Sequence, residues 1–175
     1  PEIRILRGGL DGEVVLDPTG LVMRGTVTAR GLRRGPLSLA RLAASAELRG
    51  GRGQVKAAFA GSRGRAFDLQ TVVQVAPDRL TVTGGGTIDR KPVRIDSPAV
   101  LTRNPNGWRL APTALSYGGG QLRLAGLFGE AATEVDATLG SVPMTVFDIV
   151  MPNLGLGGTA TGRIQYRAAP GALPS

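Results

Sequence analysis

Cysteine and histidine are both missing from this 175-residue chain. Without cysteine there is no disulfide framework, no thiolate metal site and no thiol nucleophile. Without histidine the commonest general base and the commonest metal ligand are gone, so a serine such as Ser116 has no imidazole to activate it. Aromatic residues make up only 4%, with Trp108 the single tryptophan. Lysine is nearly absent as well: Lys56 and Lys91 are the only two among 21 basic residues. No apolar run reaches the ~18 residues that a membrane-spanning helix needs. The chain opens at Pro1 without a methionine or a signal-peptide pattern. It is expected to be a fragment of a larger protein, with any membrane anchor outside it, and to be no enzyme and hold no cofactor or metal.

What is present is apolar, glycine-rich and basic. Apolar residues account for 42%, with 27 glycines and 12 prolines. That is enough to build a core, and the length suits one domain over 1–175. The net charge of +8 rests on arginines spread along the chain, with Arg33-Arg34 the only adjacent pair. A basic surface can meet nucleic acid, anionic head groups or lipopolysaccharide phosphates. No aromatic platform accompanies the pair, so nucleic acid is not expected as a partner; the arginines read first as the solvated face of a sheet.

The dominant pattern is alternation with period two, the mark of a half-buried strand. Leu21, Met23, Val27 and Ala29 share a face opposite Arg24, Thr26, Thr28 and Arg30. Val55, Ala57 and Phe59, then Phe67, Leu69, Thr71, Val73 and Val75, then Leu80, Val82 and Ile88, continue it, as do Leu122 and Leu124, and Val135, Ala137 and Leu139. Turn sequences separate these runs: Asp17-Pro18-Thr19-Gly20, Gly50-Gly51-Arg52-Gly53, Pro77-Asp78, Asn106-Gly107 and Gly118–Gly120. Gly8–Gly12 also has turn composition, Leu37–Ala44 is ambiguous between strand and helix, and Trp108–Leu110 and Leu115–Tyr117 read as two short strands. Roughly a dozen short strands with no βαβ alternation argue for an all-β fold.

Several apparent sites dissolve on inspection. Gly155-Leu156-Gly157-Gly158-Thr159-Ala160 matches a dinucleotide fingerprint, but that motif must lie between a strand and a following helix, and here the order is reversed. Gly84–Gly86 and Gly118–Gly120 lack the Lys-Ser/Thr of a phosphate loop and read as bends or turns. Glu134 and Asp136, with Glu130 near, form a carboxylate pair of the kind glycosidases use, yet no aromatic sugar platform accompanies them. Asp78, Asp89 and Asp96 sit singly at turns.

The period changes once, in Ser141–Arg167. Pro143 opens a short apolar run to Met151 at helical spacing, Pro152-Asn153 stop it, glycines turn the chain, and Thr159–Arg167 alternates as a strand. The segment Pro143–Arg167, with Met151-Pro152-Asn153-Leu154-Gly155-Leu156-Gly157-Gly158-Thr159-Ala160-Thr161-Gly162-Arg163, resembles the recurring unit of the TamB family of AsmA-like envelope proteins. Trp108–Pro112 is similar more loosely, and Met144-Thr145-Val146 departs from the leucines more usual there.

The resemblance implies a protein anchored in the inner membrane of a Gram-negative bacterium and spanning the periplasm. It implies a long curled sheet, open along one side, that conducts phospholipid toward the outer membrane and supports outer-membrane assembly, with a TamA-type outer-membrane barrel as partner. On that view the acyl chains meet an apolar groove. Strand alternation assigns its lining to Leu21, Met23, Val27, Leu69, Val73, Leu80, Val82, Leu122, Leu124, Val135 and Leu139. The small aliphatic set suits a wide cleft; a closed sandwich core, as in a structural or adhesive module, stays open as the alternative.

Overall fold

Each alternating segment pairs with its sequence neighbour, and the result is one sheet. The computed structural model describes residues 3–4, 6–17, 20–129, 132–150 and 155–168; for Ile3, Arg4, Leu16, Asp17, Gly20, Leu21 and Val150 it describes the backbone only. The strands are β1 (Ile3–Arg4), β2 (Arg7–Asp17), β3 (Gly20–Arg34), β4 (Leu37–Arg49), β5 (Arg52–Arg63), β6 (Arg65–Ala76), β7 (Arg79–Ile88), β8 (Lys91–Ile95), β9 (Ala99–Asn104), β10 (Gly107–Tyr117), β11 (Gly120–Phe128), β12 (Thr133–Pro143) and β13 (Thr159–Ala168). Every ladder is antiparallel. The thirteen strands occupy eleven positions, because β1 and β2 share one edge of β3, and β8 and β9 share the place between β7 and β10. No ladder among the described residues joins β2 to β13, so these two are free edges.

The all-β expectation holds, with local differences. Gly8–Gly12 is not a turn: it runs inside β2, paired with Gly25–Ala29 of β3. Leu37–Ala44 resolves as strand. Trp108–Leu110 and Leu115–Tyr117 are one strand, continuous through Ala111-Pro112. Pro112 lacks the N–H a regular ladder needs, and the pairing with β11 shifts register between Leu110 and Thr113. The helical run begins as a 3-10 turn, Met144–Val146, and becomes a one-turn helix α1, Phe147–Val150. Its expected end at Met151 to Asn153 lies outside the described residues, as do Glu130 and the tail from 169. Thr159–Arg167 pairs back onto β12 as expected.

The sheet curls, and the helix shows why it must. Asp148 in α1 meets Arg65 at the start of β6, although β6 and β12 are five positions apart. Flat, that separation is about 24 Å. Around α1 gather Phe67, Ile88, Val93, Tyr117, Leu122, Leu139, Val142 and Ala160, from β6 round to β13, with Val146, Phe147 and Ile149 of the helical segment. Among the described residues this is the one cluster of buried core, and it sits at one end of the strands. Elsewhere burial is shallow: among the described residues only Val22, Ala29, Ile88, Ala99, Tyr117, Ala137, Leu139 and Val142 are buried apolar side chains. The chain exposes 11399 Å², where a compact monomer of this mass would expose about 8,100 Å².

Glycine makes the tightest bend possible. Within β7, a Cβ on Gly84 would lie 2.5 Å from the carbonyl oxygen of Gln70, and one on Gly86 would collide with the Asp68 carbonyl. Gly86 also holds φ +148°, whereas Gly119 in the β10–β11 hairpin has φ +88° with open space around it. Both positions strain an L-residue, but only Gly86 adds a backbone collision. Gly86→Ala is therefore expected to lower the melting midpoint by on the order of 5 °C or more, and Gly119→Ala by clearly less. Equal losses in thermal denaturation would contradict the close strand approach.

Candidate functional site: the apolar inner face

Directly opposed residues in antiparallel strands share a face, so the ladders trace which side chains lie together. One row crosses the entire sheet: Val14, Met23, Leu48, Gly53, Val75, Leu80, Leu101, Leu110, Gly126, Val135 and Tyr166. Eleven strand positions contribute, and none carries a polar side chain except for the Tyr166 hydroxyl. A second row runs Gly8, Ala29, Leu42, Phe59, Leu69, Gly86, Val93 and Tyr117. The core cluster lies on this same face, which is therefore the inner one.

The ten residues with described side chains among those assigned from alternation all fall on the inner face: Met23, Val27, Leu69, Val73, Leu80, Val82, Leu122, Leu124, Val135 and Leu139. Leu21 sits at an inner backbone position, paired with Leu16, and its side chain lies outside the described residues. Exposure grades across the set. Met23 (43%) and Val27 (38%) near the β2 edge, and Ile164 (46%) and Tyr166 (42%) on the β13 edge, are open to solvent. Leu69, Val73, Leu80, Val82, Leu122, Leu124 and Val135 are half-buried, and Leu139, beside the helix, is buried. Alternation puts Phe67 on the face of Leu69 and Val73, and Phe59 in step with Val55 and Ala57, as the ladders have them; it does not assign Trp108 to this face. Phe59 and Phe67 meet edge to face, with ring centroids 6.1 Å apart. Half-buried Trp108 stands at the end remote from the helix, beside Phe128 and the 103–107 hairpin, where they line a recess.

The helical segment closes one end by packing and by polar contacts. Asp148 is buried, 2.7 Å from the Arg65 guanidinium, and its other oxygen accepts the Gly155 N–H at 2.9 Å. The hydrogen bond that Arg65 donates to Asp148 raises the Arg65 pKa from its ordinary value. Arg65 also lies 3.5 Å from Asp89. Lys91 donates to Thr145 Oγ1 at 3.3 Å, and the Tyr117 hydroxyl lies 3.3 Å from the same oxygen. The sequence signal for this anchor was a single acid inside the apolar run Val146–Val150: a charge there needs a partner.

The outer face carries the charge, arranged as cross-strand pairs. Arg24 meets Glu47, Arg41 meets Asp68 and Arg163 meets Asp136, all at 3.2–3.4 Å. The carboxylates Glu134 and Asp136 point outward, opposite Arg167 and Gln165; Gln165 donates to Asp136 at 2.8 Å. Hydrogen bonds from Gln165 and Arg163 hold the Asp136 pKa below 3.8, and one from Ser116 does the same for Asp96. Gly155–Ala160 is a turn leading into β13, with no helix after it. Among the described residues no group of three or more acids is placed to hold a metal.

Two outcomes follow. Asp148→Ala removes the closer of the two carboxylates at Arg65 and the acceptor of the Gly155 N–H, and is expected to lower the melting midpoint by several degrees; an unchanged midpoint would mean that the helix does not hold the sheet closed there. Asp96 and Asp136 have folded pKa values below the ordinary 3.8. Their stabilisation is complete above that pH and is lost as pH falls through the folded values. Denaturation midpoints of Asp136→Asn and the parent should therefore differ at pH 6, and the difference should shrink as the pH is taken below 3.8. Comparison with protein-family models, with curated proteins and with solved structures finds no match, so the functional reading rests on this geometry and on the sequence.

Proposed function

We propose that the inner face shields phospholipid acyl chains, as one segment of a TamB-like conduit between the inner and outer membranes. The observation that carries the reading is the apolar row from Val14 to Tyr166, unbroken over eleven positions and most exposed at the two free edges. A closed core would bury such a row. A lipid chain laid against it removes apolar area from water on both partners, at ~0.8 kcal/mol per buried methylene. Small residues such as Ala44, Ala46 and Ala57 leave width between the larger ones. No residue performs chemistry; the mechanism is passive shelter along a mainly aliphatic surface, in which Thr71 and Thr113 are isolated polar side chains.

The resemblance of Pro143–Arg167 supplies the setting. It points to the periplasm, to a parent protein anchored in the inner membrane, and to a TamA-type outer-membrane barrel as partner. A structural or adhesive module with a closed core is the competing reading. The cluster of Ile88, Tyr117, Leu139 and Val142 favours it only at the helical end.

A photoreactive residue at Val73 or Val82, against Gln74 or Thr83 on the outer face, tests the proposal in a Gram-negative periplasm. Lipid adducts are expected at the inner pair alone. Adducts at neither pair would remove the conduit reading for this segment.

A further inference from the structure

The arginines are spread in sequence but not in space. On the outer face, Arg7, Arg30 and Arg41 stand directly opposite one another across β2, β3 and β4. Arg33 follows on the same face of β3, its backbone paired with that of Arg4, and Arg34 completes the β3 end. Only Arg41 of these has a carboxylate partner, Asp68. Arg7, Arg30, Arg33 and Arg34 are exposed and make no ion pair among the described residues. Along β2 the nearest acid is Asp11, four residues from Arg7 and so about 13 Å away, beyond the reach of screened charges at physiological salt.

Like charges placed directly opposite in a sheet destabilise it. At the other end of the same strands the rule is respected, with Glu13, Arg24 and Glu47 in one row. Arg49 and Arg52, and Arg63 and Arg65, are opposed as single pairs at hairpin ends; only at this corner does the opposition run across three strands, and the same corner exposes large apolar side chains. Leu6 is 88% exposed where it lies over Gly31, and Leu10 is 81% exposed on the free edge.

We propose that this corner binds the surface of an anionic bilayer, with the guanidinium groups on lipid phosphates and Leu6 and Leu10 entering the head-group layer. Arginine suits phosphate through its bidentate fork, and a basic patch beside exposed leucines is the combination that interfacial binding requires. Nucleic acid fits less well, because no aromatic side chain stands in the patch for a base to stack on. The arginines lie on the outer face and Leu10, opposite Val27, on the inner side of the free β2 edge, so the corner would meet the bilayer edge-on; this contact does not need acyl chains along the rest of the inner face, and either reading can fail alone.

The test is sedimentation of the chain with vesicles of phosphatidylcholine alone and with 30% phosphatidylglycerol. The patch variant is Arg7→Gln/Arg30→Gln/Arg33→Gln; the control, Arg79→Gln/Arg109→Gln/Arg123→Gln, has the same net charge and lies elsewhere on the outer face. Binding only to the anionic vesicles is expected, weakened about 100-fold in the patch variant and little changed in the control. The patch variant should melt at the same temperature or higher, because the opposed charges are relieved. Leu6→Ser/Leu10→Ser should remove the binding that survives 0.5 M salt. Equal losses in the two triple variants, no preference for anionic vesicles, or equally tight binding of single-stranded RNA with the leucines irrelevant would each overturn the proposal. Should the triple variant not fold, Arg30→Gln and Arg33→Gln singly give the same comparison at about fivefold each.

Discussion

Covering one apolar face of an eleven-position sheet is the physical problem that the rest of this structure answers. A β-sandwich answers it with a second sheet, and a barrel by joining its edges. Here no ladder joins β2 to β13, and among the described residues the only element laid on the inner face is the short helical segment Met144–Val150. That segment gathers β6 to β13 around itself and produces the one cluster of buried core among the described residues. Away from it the face stays half-buried, and at both edges it is open.

The two faces divide the work between them. Inside, rows of aliphatic residues run across the strands without a charge. Outside, arginine–carboxylate pairs join neighbouring strands at the surface, where each contributes little on its own. Glycine mediates between the two, since the curl brings neighbouring backbones too close for a Cβ at Gly84 and Gly86. The buried Asp148–Arg65 contact is the exception to the division of faces: a charge pair that ties the helix to the first turn of β6.

Most of the inner face was legible in the sequence because strand alternation is a local property. Once Val73 and Val82 point inward, their neighbours follow, and antiparallel pairing carries the parity from strand to strand. The misread segments are those where composition and long-range pairing disagree. Gly8–Gly12 looks like a turn but is held straight by pairing with β3. Ala111-Pro112 looks like a break but is a bulge inside β10. The Arg65–Asp148 pair joins residues 83 apart, and the opposed arginines of β2, β3 and β4 are 23 and 11 residues apart in a chain whose charge looks uniform. No local pattern reports such distances; only the register does.

The most direct measurement of whether this face shelters acyl chains uses the single tryptophan. Trp108 lies half-buried on the inner face, at the end away from the helix. Phospholipid brominated along its acyl chains quenches indole fluorescence only on contact. The account predicts saturable quenching of Trp108 by acyl-brominated lipid and none by the same lipid brominated on its head group. Unquenched fluorescence with lipid demonstrably bound to the chain would place the acyl chains elsewhere and contradict the account.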